Sequence, residues 1–265
     1  MKKKLFKALV VAISVAGAAT NAWADRLQDI LSNGVIRVAV SLDSPPFGSV
    51  GADGKPVGLD IEMAEMVAQA LNVKLETVGV PSANRVAVLV TDKADLVISN
   101  LGMTPERAKQ VLYSAPYVNT VLGVFGSKDL PVSKLDDLSS YTVSATRGAA
   151  ATQAILSKNP RAQVKQFESD STSATAFLSG QTDLLTSSTT TVAALKKQNP
   201  DKQMELLIAL RSSPAHMAVR MGELNLLAWV NSFIYYSQLN GDLDRLSQKY
   251  LDLPLQPLEL ALPSR

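Results

Sequence analysis

One pattern occurs twice in this chain, 88 residues apart. Ala83 to Asn100 reads as a helix, then Thr-Asp-Lys-Ala-Asp, then an apolar strand with a polar end. Ser171 to Ser188 reads as a helix, then Ser-Gly-Gln-Thr-Asp, then an apolar strand with a polar end, which sets Asp183 opposite Asp95. A helix that carries the chain from one strand to the next in the same direction is a βαβ crossover. Such units build a parallel sheet with helices on its faces. Their recurrence predicts two similar α/β lobes.

The surrounding segments extend both units. Val35–Val40 is a strand after the Asn33-Gly34 turn, and Pro45 and Pro46 fix the loop from Ser41 to Phe47. Ile61, Ala64, Ala68 and Leu71 have helical spacing, which predicts a helix over Asp60–Leu71 capped by Asp60. Val73–Val78 reads as a strand, Ser82–Val90 as a helix and Asp95–Ser99 as the third strand. Farther on, Val121–Phe125 is extended, Ser133 caps a short helical turn, and Tyr141–Thr146 is a strand. Arg147-Gly148-Ala149-Ala150 opens a helix to about Lys158. Val164–Phe167 is a strand, Ser171–Ser179 a helix and Thr182–Thr186 a strand. Leu206–Leu210 and Met217–Arg220 lead back as extended segments, before helices at Asn225–Gln238 and Asp242–Tyr250.

One local conflict points to chemistry. Thr104 is a good N-cap and Pro105 suits the first helical position, so a helix starts there. Arg107 then falls in the first turn, beside the positive end of the helix dipole, where a cation is disfavoured. An anion held jointly by the guanidinium and free backbone N–H groups relieves that conflict. The alternative is a solvated surface Arg, with Glu106 adjacent.

Composition narrows the function classes. The chain has 265 residues, no Cys and one His, His216. Lys2, Lys3, Lys4 and Lys7, the apolar run Leu9–Ala19 and Ala22-Trp23-Ala24 have the form of a signal peptide over 1–24. That run is too short for a stable membrane anchor. Without those four Lys, 22 Lys+Arg stand against 24 Asp+Glu, and +2 becomes −2. No nucleic-acid surface is expected from that balance. A Gly-x-Ser-x-Gly elbow is missing, and one His with scattered acids predicts no metal site. His216, near the returning segment, reads as structural.

Six motifs then carry a family likeness. They are Gly34-Val35-Ile36-Arg37-Val38, Pro45-Pro46-Phe47, Gly58-Leu59-Asp60-Ile61, Ala94-Asp95-Leu96-Val97-Ile98, Thr104-Pro105-Glu106-Arg107 and Ser114-Ala115-Pro116-Tyr117. In order and spacing the chain resembles the polar amino-acid-binding proteins of ABC importers, solute-binding protein family 3. Pro81-Ser82-Ala83-Asn84-Arg85 resembles the branch that includes glutamate/aspartate-binding proteins. The resemblance implies a periplasmic-binding-protein fold of type II, with two lobes, each a mostly parallel sheet flanked by helices. Lobe 1 is expected at 25–118 and 214–265 and lobe 2 at 119–213, with hinges near Asn119–Val121 and Ser213–His216. It implies a periplasmic, monomeric protein without cofactor or catalysis. Such a protein takes a small-molecule ligand, an amino acid or carboxylate, and docks on the membrane permease of an ABC transporter.

The same resemblance assigns the site. Arg107 pairs with the ligand α-carboxylate, assisted by backbone near Ser99 and Gly102. Ser82 and Arg85 meet a second carboxylate. Strand ends bring in Ser41, Ser99, Asn100 and Thr146 independently, because ligands of open α/β sheets bind beyond the carboxyl ends of the strands. Three departures stand out. Ser188 occupies the position of the Asp that holds the ligand ammonium, with Asp170 as an acid that a small alignment shift would restore. Gly148-Ala149-Ala150 replaces Gly-Thr-Thr at the second-lobe helix start. Ser44 and Leu59 replace sandwiching aromatics. Two alternatives follow: a binder of an amine-free organic acid, and a cyclohexadienyl-dehydratase-like enzyme on the same scaffold. The second needs a positioned acid or base, and no candidate pair lies at the strand ends.

Overall fold

The structure is a computed structural model that describes residues 25–255 and Leu258; the expected signal peptide lies outside the described residues. The strands are β1 Val35–Val40, β2 Asp43–Ser44, β3 Gly48–Val50, β4 Pro56–Val57, β5 Lys74–Gly79, β6 Leu96–Gly102, β7 Val111–Val118, β8 Val121–Gly126, β9 Thr142–Thr146, β10 Gln163–Phe167, β11 Leu184–Ser188, β12 Glu205–Ser212 and β13 Ala215–Arg220. The helices are α1 Arg26–Asn33, α2 Leu59–Leu71, α3 Ala87–Val90, α4 Pro105–Ala108, α5 Ala150–Lys158, α6 Asp170–Leu178, α7 Thr189–Gln198, α8 Leu224–Leu239 and α9 Asp242–Leu251.

Two five-stranded sheets form two lobes, in the orders β5-β1-β6-β13-β7 and β10-β9-β11-β8-β12. In each, three adjacent strands run parallel, a fourth (β13 or β8) runs antiparallel to them, and the edge strand (β7 or β12) pairs antiparallel with the fourth and so runs with the first three. The apolar runs are continuous because both sheet faces are covered. Val38, Val40, Leu96 and Ile98 face α2 and α8, among Met63, Val67, Val230 and Ile234. Ala39 and Val97 face the opposite side with Leu89. In the second sheet, Leu184 and Leu185 likewise join different clusters, with Val143 and Ile155 on one face and Phe125 and Val192 on the other.

The repeated Asp of the two units does the same work twice. Arg37 N donates to Asp95 Oδ2 at 2.8 Å, and Asp95 N donates back to the Arg37 carbonyl. Thr142 N donates to Asp183 Oδ2 at 2.8 Å, and Asp183 N returns to the Thr142 carbonyl. Each Asp thereby fixes the start of a central strand against its parallel neighbour.

Several local expectations change. Asp60 does not cap α2: Gly58 is the cap residue, in a backbone conformation at φ 138° that suits glycine, and Asp60 is buried in the first turn. The helix expected over Ser82–Val90 is a 3₁₀ turn, Ser82–Asn84, and then the four-residue α3. Between them Arg85 turns inward, its Nε donating to the Ser82 carbonyl at 3.0 Å. Lys134, not Ser133, holds the cap position of the turn that follows. Helix α7 was not expected, because Thr189, Thr190 and Thr191 are poor helix formers. Ser188 compensates as its cap, its Oγ accepting from Thr191 N at 3.1 Å.

Candidate ligand-binding cleft

β6, β9 and β11 all end in the gap between the sheets, which has a volume of about 560 Å³ including its open mouth. The chain passes twice beneath it, from β7 to β8 and from β12 to β13. These crossings are tied together: Ser213 N donates to the Thr120 carbonyl at 2.8 Å and Thr120 Oγ1 to the Ser213 carbonyl at 3.0 Å.

The first-lobe wall carries the charge. Thr104 caps α4 as its sequence predicts, its Oγ1 accepting from Arg107 N at 3.3 Å. The helix ends after one turn, and Arg107 folds back so that Nη1 donates to the Gly102 carbonyl at 2.7 Å. Its Nη2 reaches across the cleft to the Gly148 carbonyl at 2.5 Å. Arg85 Nη1 donates to the carbonyls of Ser99 at 2.6 Å and Asn100 at 3.4 Å. Asn100 makes this geometry by taking a left-handed backbone, φ 41°, which turns the end of β6. Its N–H donates to Tyr117 Oη, and Tyr117 donates in turn to Asp60 Oδ1 at 2.6 Å.

Arg85 and Arg107 are 6% and 8% exposed, and neither makes an ion pair among the described residues. Burial lowers the pKa of both, and Arg107 falls to about 10, first through burial and then through the Arg85 cation beside it. Burial pushes Asp60 up to about 7, against the opposing hydrogen bond from Tyr117. Two adjacent guanidiniums donating to carbonyl oxygens, with Tyr113 beside Arg107 and Asp170 and Asp60 acting on Arg85, form an anion-seeking wall.

The second-lobe wall is smaller and mostly neutral. Helix α5 begins at Ala149 without a side-chain cap, so its first backbone N–H groups stay open to the cleft. Gly148, at φ 69°, brings the preceding turn against the first lobe, where an added Cβ would lie 3.0 Å from Ala83 Cα. Ser188 reaches the wall, but its oxygen is engaged by Thr190, Thr191 and the α7 backbone. Asp170, in the first turn of α6, is the one acidic residue lining the cleft among the described residues. Its Oδ2 accepts from Ser44 Oγ of the opposite lobe at 2.5 Å.

The structure brings together Ser44, Ser82, Arg85, Asn100, Gly102, Arg107, Ala150 and Ser188 on the wall. Ser99 and Gly148 stand behind it and contribute carbonyls to the two arginines. Ser41 and Leu59 are not on the wall. Ser41 Oγ meets Ser99 Oγ at 2.7 Å, and Leu59 is 2% exposed in the first-lobe core. His216 is buried, with Nδ1 against the Ser114 carbonyl and its ring edge-on to Tyr113. Thr120 and Ser213 line the cleft from the expected hinges, and Thr186 and Ser187 line it from the second lobe. Thr186 and Ser187 lie at the end of β11, the same signal that marked Thr146.

Two similar lobes with a polar cleft between them and hinge strands beneath define a two-lobed solute-binding protein. The chain belongs to the bacterial extracellular solute-binding proteins, family 3, whose pattern matches residues 36–253. It is 26% identical over 232 residues to the glutamine-binding protein of an ABC transporter of Bacillus subtilis, covering 86% of this chain and 85% of that one. The solute receptor for L-cysteine of Neisseria gonorrhoeae superposes with a TM-score of 0.79 at 32% identity, over 85% of this chain and 93% of that one. A cyclohexadienyl dehydratase of Pseudomonas aeruginosa is 33% identical over 116 residues, covering 44% of this chain and 43% of the enzyme. The family's members are mostly binding proteins for transport. No described helix is long and apolar enough to cross a membrane.

Proposed function

We propose that this protein captures an acidic amino acid in the periplasm, closes over it as a monomer, and delivers it to an ABC permease. Lobe 1 comprises 25–118 and 214–265, lobe 2 comprises 119–213, and residues 1–24 direct export. The hinges are Asn119–Val121 and Ser213–His216, where the two crossings are tied. The reading rests on Arg85 and Arg107, two buried guanidiniums in one cleft, neither in an ion pair among the described residues, with Asp170 and Asp60 the acids that act on Arg85 from farther off. Arg107 and the open N–H groups of α5 take the α-carboxylate, and Arg85 with Ser82 takes the side-chain carboxylate. A bidentate Arg–carboxylate bond contributes roughly 1.5–3 kcal/mol net. A neutral amino acid engages one arginine and leaves the other buried and unmatched.

A thermal-shift panel tests this, setting L-glutamate and L-aspartate against neutral and basic amino acids, succinate and 2-oxoglutarate. A ligand at 100 times its Kd adds about 2.7 kcal/mol of stability. The acidic amino acids should stabilise most, and Arg85→Gln should turn the preference toward neutral amino acids by at least about tenfold, the low end for a charged hydrogen bond. Stabilisation by neutral amino acids alone rejects acidic specificity. The engaged hydroxyl of Ser188 favours an amine-free organic acid as a second reading, and succinate above aspartate would establish it. Turnover of a cyclic carboxylate would move the protein to the dehydratase class; the wall carries one carboxylate and no imidazole among the described residues.

A further inference from the structure

We infer that Asp170 is the residue that receives the ligand's ammonium, so the amine seat of this cleft lies at the start of α6 and not at Ser188. This deepens the reading above and rests on it. Three observations carry it. First, Ser188 has no free acceptor role, because its oxygen caps α7 and exchanges hydrogen bonds with Thr190 and Thr191. Second, Asp170 is the sole acid on the cleft wall among the described residues, and its Oδ1 accepts no hydrogen bond there, while Oδ2 is held by Ser44. The carboxylate is thus oriented through one oxygen and open through the other. Third, Asp170 stands on the second lobe, across the same cleft from Arg85 and Arg107 on the first, so one ligand can be held by its carboxylates on one wall and by its ammonium on the other.

The placement has a consequence for closure. Ser44 is on the first lobe and Asp170 on the second, so their bond forms only when the lobes meet. An ammonium at Oδ1 then adds a charged contact beside that bond, and the amine is read at the moment of closure.

Matched pairs differing only in the amine test this on the mature protein by calorimetry: L-aspartate with succinate, and L-glutamine with its deaminated counterpart, glutaramate. The pair with the tighter member in wild type is the one scored, so the result does not depend on acidic specificity being correct. Asp170→Asn keeps an acceptor for Ser44 and removes the charge. It should weaken the amine-bearing member at least about tenfold and leave its amine-free partner within about threefold. Ser44→Ala should preserve the amine preference. Equal loss for both members, or no loss in Asp170→Asn, overturns the assignment. So does an amine preference that disappears in Ser188→Ala but survives Asp170→Asn. If wild type prefers neutral amino acids while Asp170→Asn still erases the amine preference, the proposed acidic specificity fails and Asp170 stands.

Discussion

The two lobes share a topology and divide the work. Each has three parallel strands, an antiparallel pair and an Asp that pins a central strand. Yet Asp95 is buried and ion-paired to Arg37 at 2.7 Å and Arg26 at 3.4 Å, whereas Asp183 is exposed and meets only Thr142 and backbone. The cleft walls differ in the same sense. The first lobe presents two buried cations, while the second presents small side chains, helix N–H groups and one carboxylate. One scaffold thus presents a charged wall on one lobe and a mostly neutral wall on the other. Shared architecture leaves the distribution of charge free.

The largest effect expected from this division is at Arg107. Arg107→Ala should weaken binding at least about tenfold, the low end for a charged hydrogen bond. Ser188→Ala should leave affinity within about threefold and lower stability by about 1 kcal/mol, through the lost cap. Titration of both variants, with urea unfolding of the second, would break the comparison if Ser188→Ala proved the worse binder. The pinning residues come next. Asp95→Asn should cost about 2 kcal/mol in urea unfolding, because buried arginine contacts lose their charge, and Asp183→Asn about 1 kcal/mol or less. Equal costs would mean that the ion pairs around Asp95 add nothing.

The last comparison is in pH. Asp60 has its folded pKa raised to about 7, so its protonated form favours the fold and stability falls as pH rises from about 4 through 7. Asp183 has its pKa lowered by hydrogen bonds from the Thr142 backbone and then its hydroxyl. Its contribution is present above the unfolded pKa and lost as pH falls through the folded value. Asp60→Asn should flatten the slope between pH 5 and 7, a change of a few degrees in Tm at about 2–4 °C per kcal/mol. An unchanged slope would remove Asp60 as its source.

Much of this was legible along the chain. The runs Val35–Val40 and Leu96–Ile98, the spacing from Ile61 to Leu71 and the Asp95/Asp183 echo are local signals, and local hydrogen bonds and burial made them true. Arg107 stood out because it breaks a helix-terminus rule, and it lies buried on the cleft wall. What was hidden depends on tertiary contact. The partners Ser44 and Asp170 lie 126 positions apart, and the Arg107 bond to Gly148 spans 41. Ser82–Val90 looked helical until the pull of Arg85 toward the end of β6 divided it. Helix α7 was masked by three threonines whose poor propensity is outweighed by the Ser188 cap and by burial of Val192 and Leu195.

Val121 and Ser212 face each other across the β8–β12 ladder, with Thr120 and Ser213 bonded just outside it. The chain of the second sheet thus leaves and returns at a single point, like a guest inserted into a host whose cut ends already touch. Such a segment can be traded for that of a relative as one cassette. The trade would carry Asp170 away and leave Arg85 and Arg107 behind, so the proposed amine seat and the proposed carboxylate seat lie on separately exchangeable parts of the chain.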